Sequence, residues 1–269
     1  SIEGSYHGHS IAAMSIGSSE FRSWYKNLLP DCYKINPPLN EKAVEKVEKI
    51  LMQGDIAALI MEPIICSLGV EIPTEYFMRR VQILCKKYNT LFIVDEVCTG
   101  FGRTGRLFAS EHFKIEPDIM CLAKGITGGY GGLGATITTK EVAKSMEYDF
   151  SFYSTYGWHP LSTEIAIVNI KYLLTHKNKL EKNITQIGEY FRKRLSKMKF
   201  KYTAEIRVKG LAIGIKFINK NYATEILRKA QRKGVLLALL NNKTLVLFPA
   251  LNIDKNTAKT GLDILEKCL

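Results

Sequence analysis

The sequence predicts an α/β fold: a mostly parallel sheet flanked by helices, followed by a smaller C-terminal α+β domain. Three observations carry this. Unbroken apolar runs occur at 56–61, 91–94 and 119–123, the pattern of strands buried on both faces of a parallel sheet. A helical periodicity separates the first two runs, so strand, helix and strand form a βαβ unit with parallel strands. From residue 176 onward, helices alternate with shorter apolar runs, which places a large domain at 1–175 and a small one at 176–269.

Residues 1–20 are Gly/Ser-rich, with Tyr6 and His7 set in Gly4-Ser5-Tyr6-His7-Gly8, and 21–40 read as irregular, with Pro30 and the Pro37-Pro38 pair. A helix follows at 41–53 with Val44, Val47, Ile50 and Leu51 on one face. The run 56–61 ends at Glu62-Pro63. Thr74 leads into a helix at 75–88, where Phe77, Val81, Leu84 and Cys85 recur at helical spacing. The run 91–94 ends in Asp95-Glu96 and passes into a Gly-rich segment reaching Gly105. The run 119–123 ends at Lys124, before a glycine cluster from Gly125 to Gly132, and a short strand is expected at 135–139. A helix is predicted at 161–175, then a basic linker at 176–183 and a helix at 184–198. The small domain is expected to hold strands at 205–208, 211–217, 235–239 and 244–248, with helices at 222–233 and 255–268.

With 269 residues, 46% of them hydrophobic, the chain can bury the core of one large or two modest domains. The net charge of +12 comes from scattered lysines, and the clusters at 177–182 and 192–201 read as solvated helix faces. Nucleic-acid binding is therefore not expected, whereas a field that steers anionic ligands is. No apolar stretch is long enough for a membrane span, and the start SIEGSYHGHS lacks the basic and apolar regions of a signal peptide. Six cysteines show neither a CxxC pair nor metal-ligand spacing. Cys66, Cys85 and Cys121 lie in apolar runs, which suits a reducing cytoplasm and no bound metal.

Three apolar runs thus end in Glu62, Asp95 and Lys124. If the strands are neighbours, these charges meet at the carboxyl edge of the sheet, where ligands of open α/β sheets bind. A lysine near a buried carboxylate has two uses. It can form a structural ion pair, or it can act as an amine that forms a Schiff base with a carbonyl compound once its pKa is lowered. In the second case the carboxylate faces a pyridinium N–H and keeps the ring an electron sink. The glycines after Lys124 let backbone pass close to a flat ligand. The spacing alone leaves both uses open.

The strings IVDEVCTGFGRTG (93–105) and EPDIMCLAKGITGGYGGLGATI (116–137) resemble the class III aminotransferases, fold type I enzymes that use pyridoxal 5′-phosphate. GSYHGHS, IMEPI, STYGWHPLS, RVKGLAIGIKF and VLFPALNI extend the resemblance over essentially the whole chain, in the family's order. The resemblance implies that Lys124 forms the Schiff base and shuttles the proton between substrate Cα and the cofactor's C4′. It implies that Asp95 pairs with the pyridine nitrogen, that Val97 packs on one ring face and that Tyr6 stacks on the other. His7 becomes an orienting neighbour, and Cys98 stands where the family commonly has Gln near the phenolic oxygen. Glu62 lies beside the substrate site. Thr155 matches the residue that reaches the cofactor phosphate of the partner subunit, so a homodimer with shared sites is implied. The implied reaction moves an amino group between a primary amine or amino acid and a keto acid or aldehyde. An aminomutase, a racemase or a non-catalytic structural subunit are the alternatives. Plainer roles compete at single positions: Tyr6 as core, Glu62 as acceptor for a backbone donor, Arg103 as a loop brace, Trp158 and His159 at a dimer seam. Cys98 as a nucleophile lacks an evident base.

Two departures stand out. The family's phosphate-binding turn at a helix N-terminus lies upstream of the Tyr-His-Gly motif. It is not present here, so further polypeptide is expected to supply it. Val246 stands where members that clamp an α-carboxylate place Arg, which points to an amine lacking that carboxylate, to a carrier-bound or apolar substrate, or to a cation supplied from elsewhere. Ser67 occupies a position held by Glu or Ala in several members, leaving substrate choice open.

Overall fold

The computed structural model describes residues 1–147 and 154–269. The chain divides into two compact units: Ser1–Ile64, Ile72–Phe101 and Phe108–Thr175 form the first, and Ile65–Glu71, Gly102–Leu107 and His176–Leu269 the second. Among the described residues no helix is long and apolar enough to cross a membrane.

The first unit runs α1 (Ile11–Ile16), α2 (Glu20–Trp24), α3 (Glu41–Leu51), β1 (Ala58–Met61), α4 (Glu75–Lys87), β2 (Leu91–Asp95), β3 (Ile119–Leu122), β4 (Ala135–Thr138), α5 (Lys140–Lys144) and α6 (Pro160–Thr175). Residues 21–40, read as irregular, contain most of α2. The helices begin where side chains can satisfy their free amides. Asn40 accepts from the Lys42 N–H at the start of α3, and Thr74 from the Phe77 N–H at the start of α4. The apolar faces then bury as their spacing dictates: Val44, Val47 and Leu51 on α3, and Phe77, Val81, Leu84 and Cys85 on α4. The sheet order is β1-β2-β3-β4. β1, β2 and β3 are parallel, and β4 is antiparallel to β3, as a mostly parallel sheet requires.

Glu96, fully buried just past β2, folds the following loop back onto the strand end. Its carboxylate accepts hydrogen bonds from Thr99 Oγ1 at 2.5 Å and from the backbone amides of Ala109 at 3.0 Å and Ser110 at 2.7 Å. Burial pushes its pKa up, against the downward pull of those donors.

The second unit holds α7 (Lys177–Lys197), β5 (Ala204–Lys209), β6 (Ala212–Phe217), α8 (Lys220–Arg232), β7 (Ala238–Leu240), β8 (Thr244–Leu247) and α9 (Lys255–Glu266). Its sheet is antiparallel, in the order β5-β6-β8-β7. Ile184, Leu195, Ile213, Ile215, Phe217 and Leu265 anchor its core. The basic stretch 176–183, read from its lysines as a linker, is instead almost entirely the start of α7. Leu180 lies one turn before Ile184 and packs on the same core, and Lys177 and Glu181 face each other at 3.8 Å. β7 starts at Ala238, later than expected, because Val235 is still closing α8. Its N–H bonds to the Ala230 carbonyl and that of Gly234, at φ +84°, bonds to Gln231.

Two short loops complete this unit. In the first, Arg207 meets Glu71 at 2.7 Å and donates to the Leu68 carbonyl at 3.2 Å. A Cβ on Gly214 would lie 2.2 Å from the Gly69 carbonyl oxygen. In the second, Arg103 donates to the carbonyls of Leu211 and Pro249, while Leu211 N–H returns a bond of 2.9 Å to the Arg103 carbonyl. Arg103 is thus a loop brace.

Gly214→Ala is expected to destabilise the protein by about 1–3 kcal/mol, the cost of overpacking a closed contact. Gly261→Ala in α9, where nothing approaches within 4 Å, should be neutral or stabilising; urea unfolding compares the two. Because the folded-state pKa of Glu96 is raised above its ordinary 4.5, the stability it contributes is complete below the unfolded pKa. That contribution is lost as pH rises through the folded pKa. Glu96→Gln should flatten this part of the stability–pH curve. At low pH, where Glu96 contributes fully, the variant should cost about 1–3 kcal/mol, since one amide oxygen replaces two acceptors, and this cost should shrink as pH rises through the folded pKa.

Candidate active site

Strand register brings the charged residues to one edge. Met61 pairs with Val94, so Glu62 follows at the level of Asp95. Asp95 pairs with Cys121, and Lys124 comes three residues later, beyond the end of β3. Glu62 is 4% and Asp95 6% exposed, whereas Lys124 is exposed. The carboxyl edge of three adjacent parallel strands therefore carries two buried acids and an accessible amine.

Asp95 is held by two donors. Its Oδ2 lies 2.8 Å from His7 Nδ1, and its Oδ1 accepts from the Val97 N–H at 3.0 Å. The His7 side chain is 2% exposed, so the loop 4–10 delivers a buried imidazole to the end of β2. The direct Lys124–Asp95 ion pair allowed by spacing is not formed, and among the described residues the Lys124 ammonium meets no carboxylate.

The turn at Lys124 is tightly specified. Lys124 has φ +45°, a left-handed backbone that costs a non-glycine residue about 1–3 kcal/mol and persists where surrounding structure enforces it. Gly125 packs so closely on Phe101 that a Cβ would lie 3.0 Å from the Phe101 Cβ. From α6, Asn169 Nδ2 donates to the carbonyls of Gly125 at 2.8 Å and Ile126 at 3.0 Å. Thr127 Oγ1 donates to the Gly131 carbonyl at 2.6 Å. Asn169 was not singled out from the sequence. Its signal is a lone amide inside the apolar stretch Ile165–Ile170.

Tyr6 is 42% exposed rather than core. Its hydroxyl is 2.9 Å from His9 Nδ1, and its ring packs at an angle against His9 and Phe21. Val97 and Cys98 are half-buried in the turn after β2, and Thr155 is exposed in the turn before α6. Around Thr155 and along α6 lies unusual apolar exposure: Tyr130 86%, Tyr156 84%, Trp158 70% and Leu161 64%. Val246 and Ser67 belong to the second unit. Val246 is 3% exposed on β8, paired with Gly214 and Ala238.

The model of the family described as aminotransferase class-III matches residues 1–269. An uncharacterized aminotransferase of Archaeoglobus fulgidus is 34% identical over 91% of this chain and 57% of its own length. A putrescine aminotransferase of Pectobacterium atrosepticum is 34% identical over 98% of this chain and 58% of its own. A transaminase structure from the marine bacterium Virgibacillus superposes with a TM-score of 0.92 at 25% identity, over 99% of this chain and 66% of that one. The chain thus spans 57–65% of the length of the curated relatives it matches. With a family model matched from first residue to last, the chain belongs to the class III aminotransferases.

Proposed function

We propose that this chain carries the cofactor-holding centre of a pyridoxal-5′-phosphate-dependent aminotransferase. The reaction moves an amino group from a primary amine or amino acid to a keto acid or aldehyde. The observation that carries this is a buried carboxylate met by neutral donors or an imidazole, beside an accessible lysine amine on the adjacent strand end. The residues suit the group. Each Asp95 oxygen has one donor and keeps a lone pair for another, and the charge on Asp95 complements a protonated ring nitrogen.

When bound, the cofactor supplies an electron sink for negative charge at the substrate's α carbon. Lys124 would hold the cofactor through Nζ and would carry the substrate proton on the same atom. Asp95 holds the ring N–H, with His7 as its orienting neighbour. Val97 and Tyr6 would contact the cofactor ring, Cys98 would stand near its phenolic oxygen, and Glu62 would lie beside the substrate. Residues 1–175 would act as the cofactor-binding large domain and 176–269 as the small domain. Val246, apolar and buried, favours an amine without an α-carboxylate. The putrescine enzyme among the relatives is in keeping with that choice. A reducing cytoplasm accords with the buried thiols of Cys85 and Cys268, which form no disulfide.

The reading includes a homodimer in which Thr155 reaches the partner's cofactor phosphate. Apolar exposure along α6 and at Tyr130, Tyr156 and Trp158 supports it, because contiguous apolar patches mark association surfaces.

Adding pyridoxal phosphate to the protein should produce a visible absorbance band absent from Lys124→Ala. Activity in that variant should fall by about 10²–10⁴-fold from the lost proton transfer alone; identical spectra for the two proteins would overturn the reading. Leu161→Asp with Val168→Asp should halve the mass measured by light scattering and weaken cofactor retention. A mass unchanged from wild type would count against the shared-site dimer.

A further inference from the structure

We propose that the second unit carries a phosphate-binding site, built by Lys209 at the end of β5, Arg106 in the loop 102–107 and Arg192 on α7, that takes a compact dianionic phosphate group. None of these residues belongs to the proposed cofactor centre, and the site does not rest on that function.

Close backbone packing draws the three cations together. Gly210, at φ +56°, leads β5 into β6, and a Cβ there would lie 2.8 Å from both the Arg103 carbonyl oxygen and the Gly105 nitrogen. The loop carrying Arg106 therefore rests on the residue that follows Lys209. From the other side comes α7, whose positions 181, 185, 188 and 192 recur at helical spacing and form one stripe. A Cβ on Gly188 would collide with the Gly210 carbonyl, and one on Gly105 would lie 3.2 Å from Thr185 Oγ1. Arg192 Nη2 donates to the Val208 carbonyl, one residue before Lys209. Helix, loop and strand end are thus fixed against one another.

That packing concentrates positive charge. Arg106 and Lys177 each lie 3.8 Å from Glu181, while Glu189 lies 3.5 Å from Arg192 and 3.8 Å from Lys193. With Lys209, these cations outnumber the two carboxylates they share. Lys209 itself is half-buried. Burial first, and then Arg192 and Arg106, hold its ammonium below the usual lysine range. An anion among the three offsets the repulsive part of that penalty. The wider field favours the same ligand. Residues 176–269 hold 21 of the chain's 38 Lys and Arg but 7 of its 26 Asp and Glu, which draws anions towards this unit. A phosphate dianion matches the excess better than a carboxylate does, because it carries nearly two charges and offers several oxygens to two guanidinium forks and an ammonium.

Isothermal titration calorimetry at pH 7 and fixed ionic strength tests the site, with inorganic phosphate, glycerol 3-phosphate and acetate as probes. Both phosphates should saturate a site, and acetate should bind at least about 10-fold more weakly. Lys209→Met and Arg106→Met should each weaken phosphate binding by about 10-fold, the loss of one charge-assisted hydrogen bond. Lys209→Arg restores a cation and Lys220→Met removes the same charge from α8; both should stay within about three-fold of wild type. Equal affinity in wild type and Lys209→Met would overturn the site, and so would an equal loss in Lys220→Met, which would reduce binding to net charge. Acetate binding as tightly as phosphate, or no saturation by either phosphate, would overturn it too. With the site upheld, tighter binding of glycerol 3-phosphate marks an ester as the ligand, and the reverse order marks the free ion. A protein that never binds pyridoxal phosphate would sink the proposed function and leave these outcomes standing.

Discussion

An ionised carboxylate buried at the end of a β-strand is the constraint around which the first unit is arranged. Asp95 is 6% exposed, and taking an anion out of water is costly unless donors replace its hydration. The chain supplies those donors from two directions: the Val97 amide immediately downstream and the His7 ring from a loop 88 residues away in sequence. The long-range contact makes the Gly-Ser-Tyr-His-Gly segment part of the sheet's ligand-binding edge. The neighbouring Glu96 solves the same problem in the opposite sense. Its three donors are all structural, so it organises the loop while Asp95 keeps capacity for a ligand.

Much of this was legible in the sequence because parallel strands and amphipathic helices announce themselves through short-range periodicity. The runs ending at Glu62, Asp95 and Lys124 lie in adjacent strands, and Thr74 caps the helix it leads into. The lysines at 177–182 misled for a physical reason. A charged helix face resembles a linker when only charge is counted, whereas Leu180 carried the apolar period through it. Helix closure at Gly234 and Val235 likewise consumed residues that look like strand.

What the sequence could not reveal was contact between distant positions. Asn169 supports the backbone after Lys124 from a helix 44 residues on, and only its polarity within an apolar stretch marked it. The left-handed backbone of Lys124 is similarly invisible in residue type, since nothing about lysine favours it. It follows from Gly125 pressing on Phe101 and from the two carbonyls pinned by Asn169.

The chain passes from one unit to the other after residues 64, 71, 101, 107 and 175. The two brief visits begin shortly after Glu62 and Asp95, and both are locked in place, by Arg207 and by Arg103 with Gly214 and Leu211. A single backbone cut therefore cannot release the second unit. The stretch 176–269 is no portable cassette, because grafted elsewhere it would leave behind the two loops its sheet is built to receive. Evolution is accordingly expected to have inherited the interleaved pair as one indivisible piece.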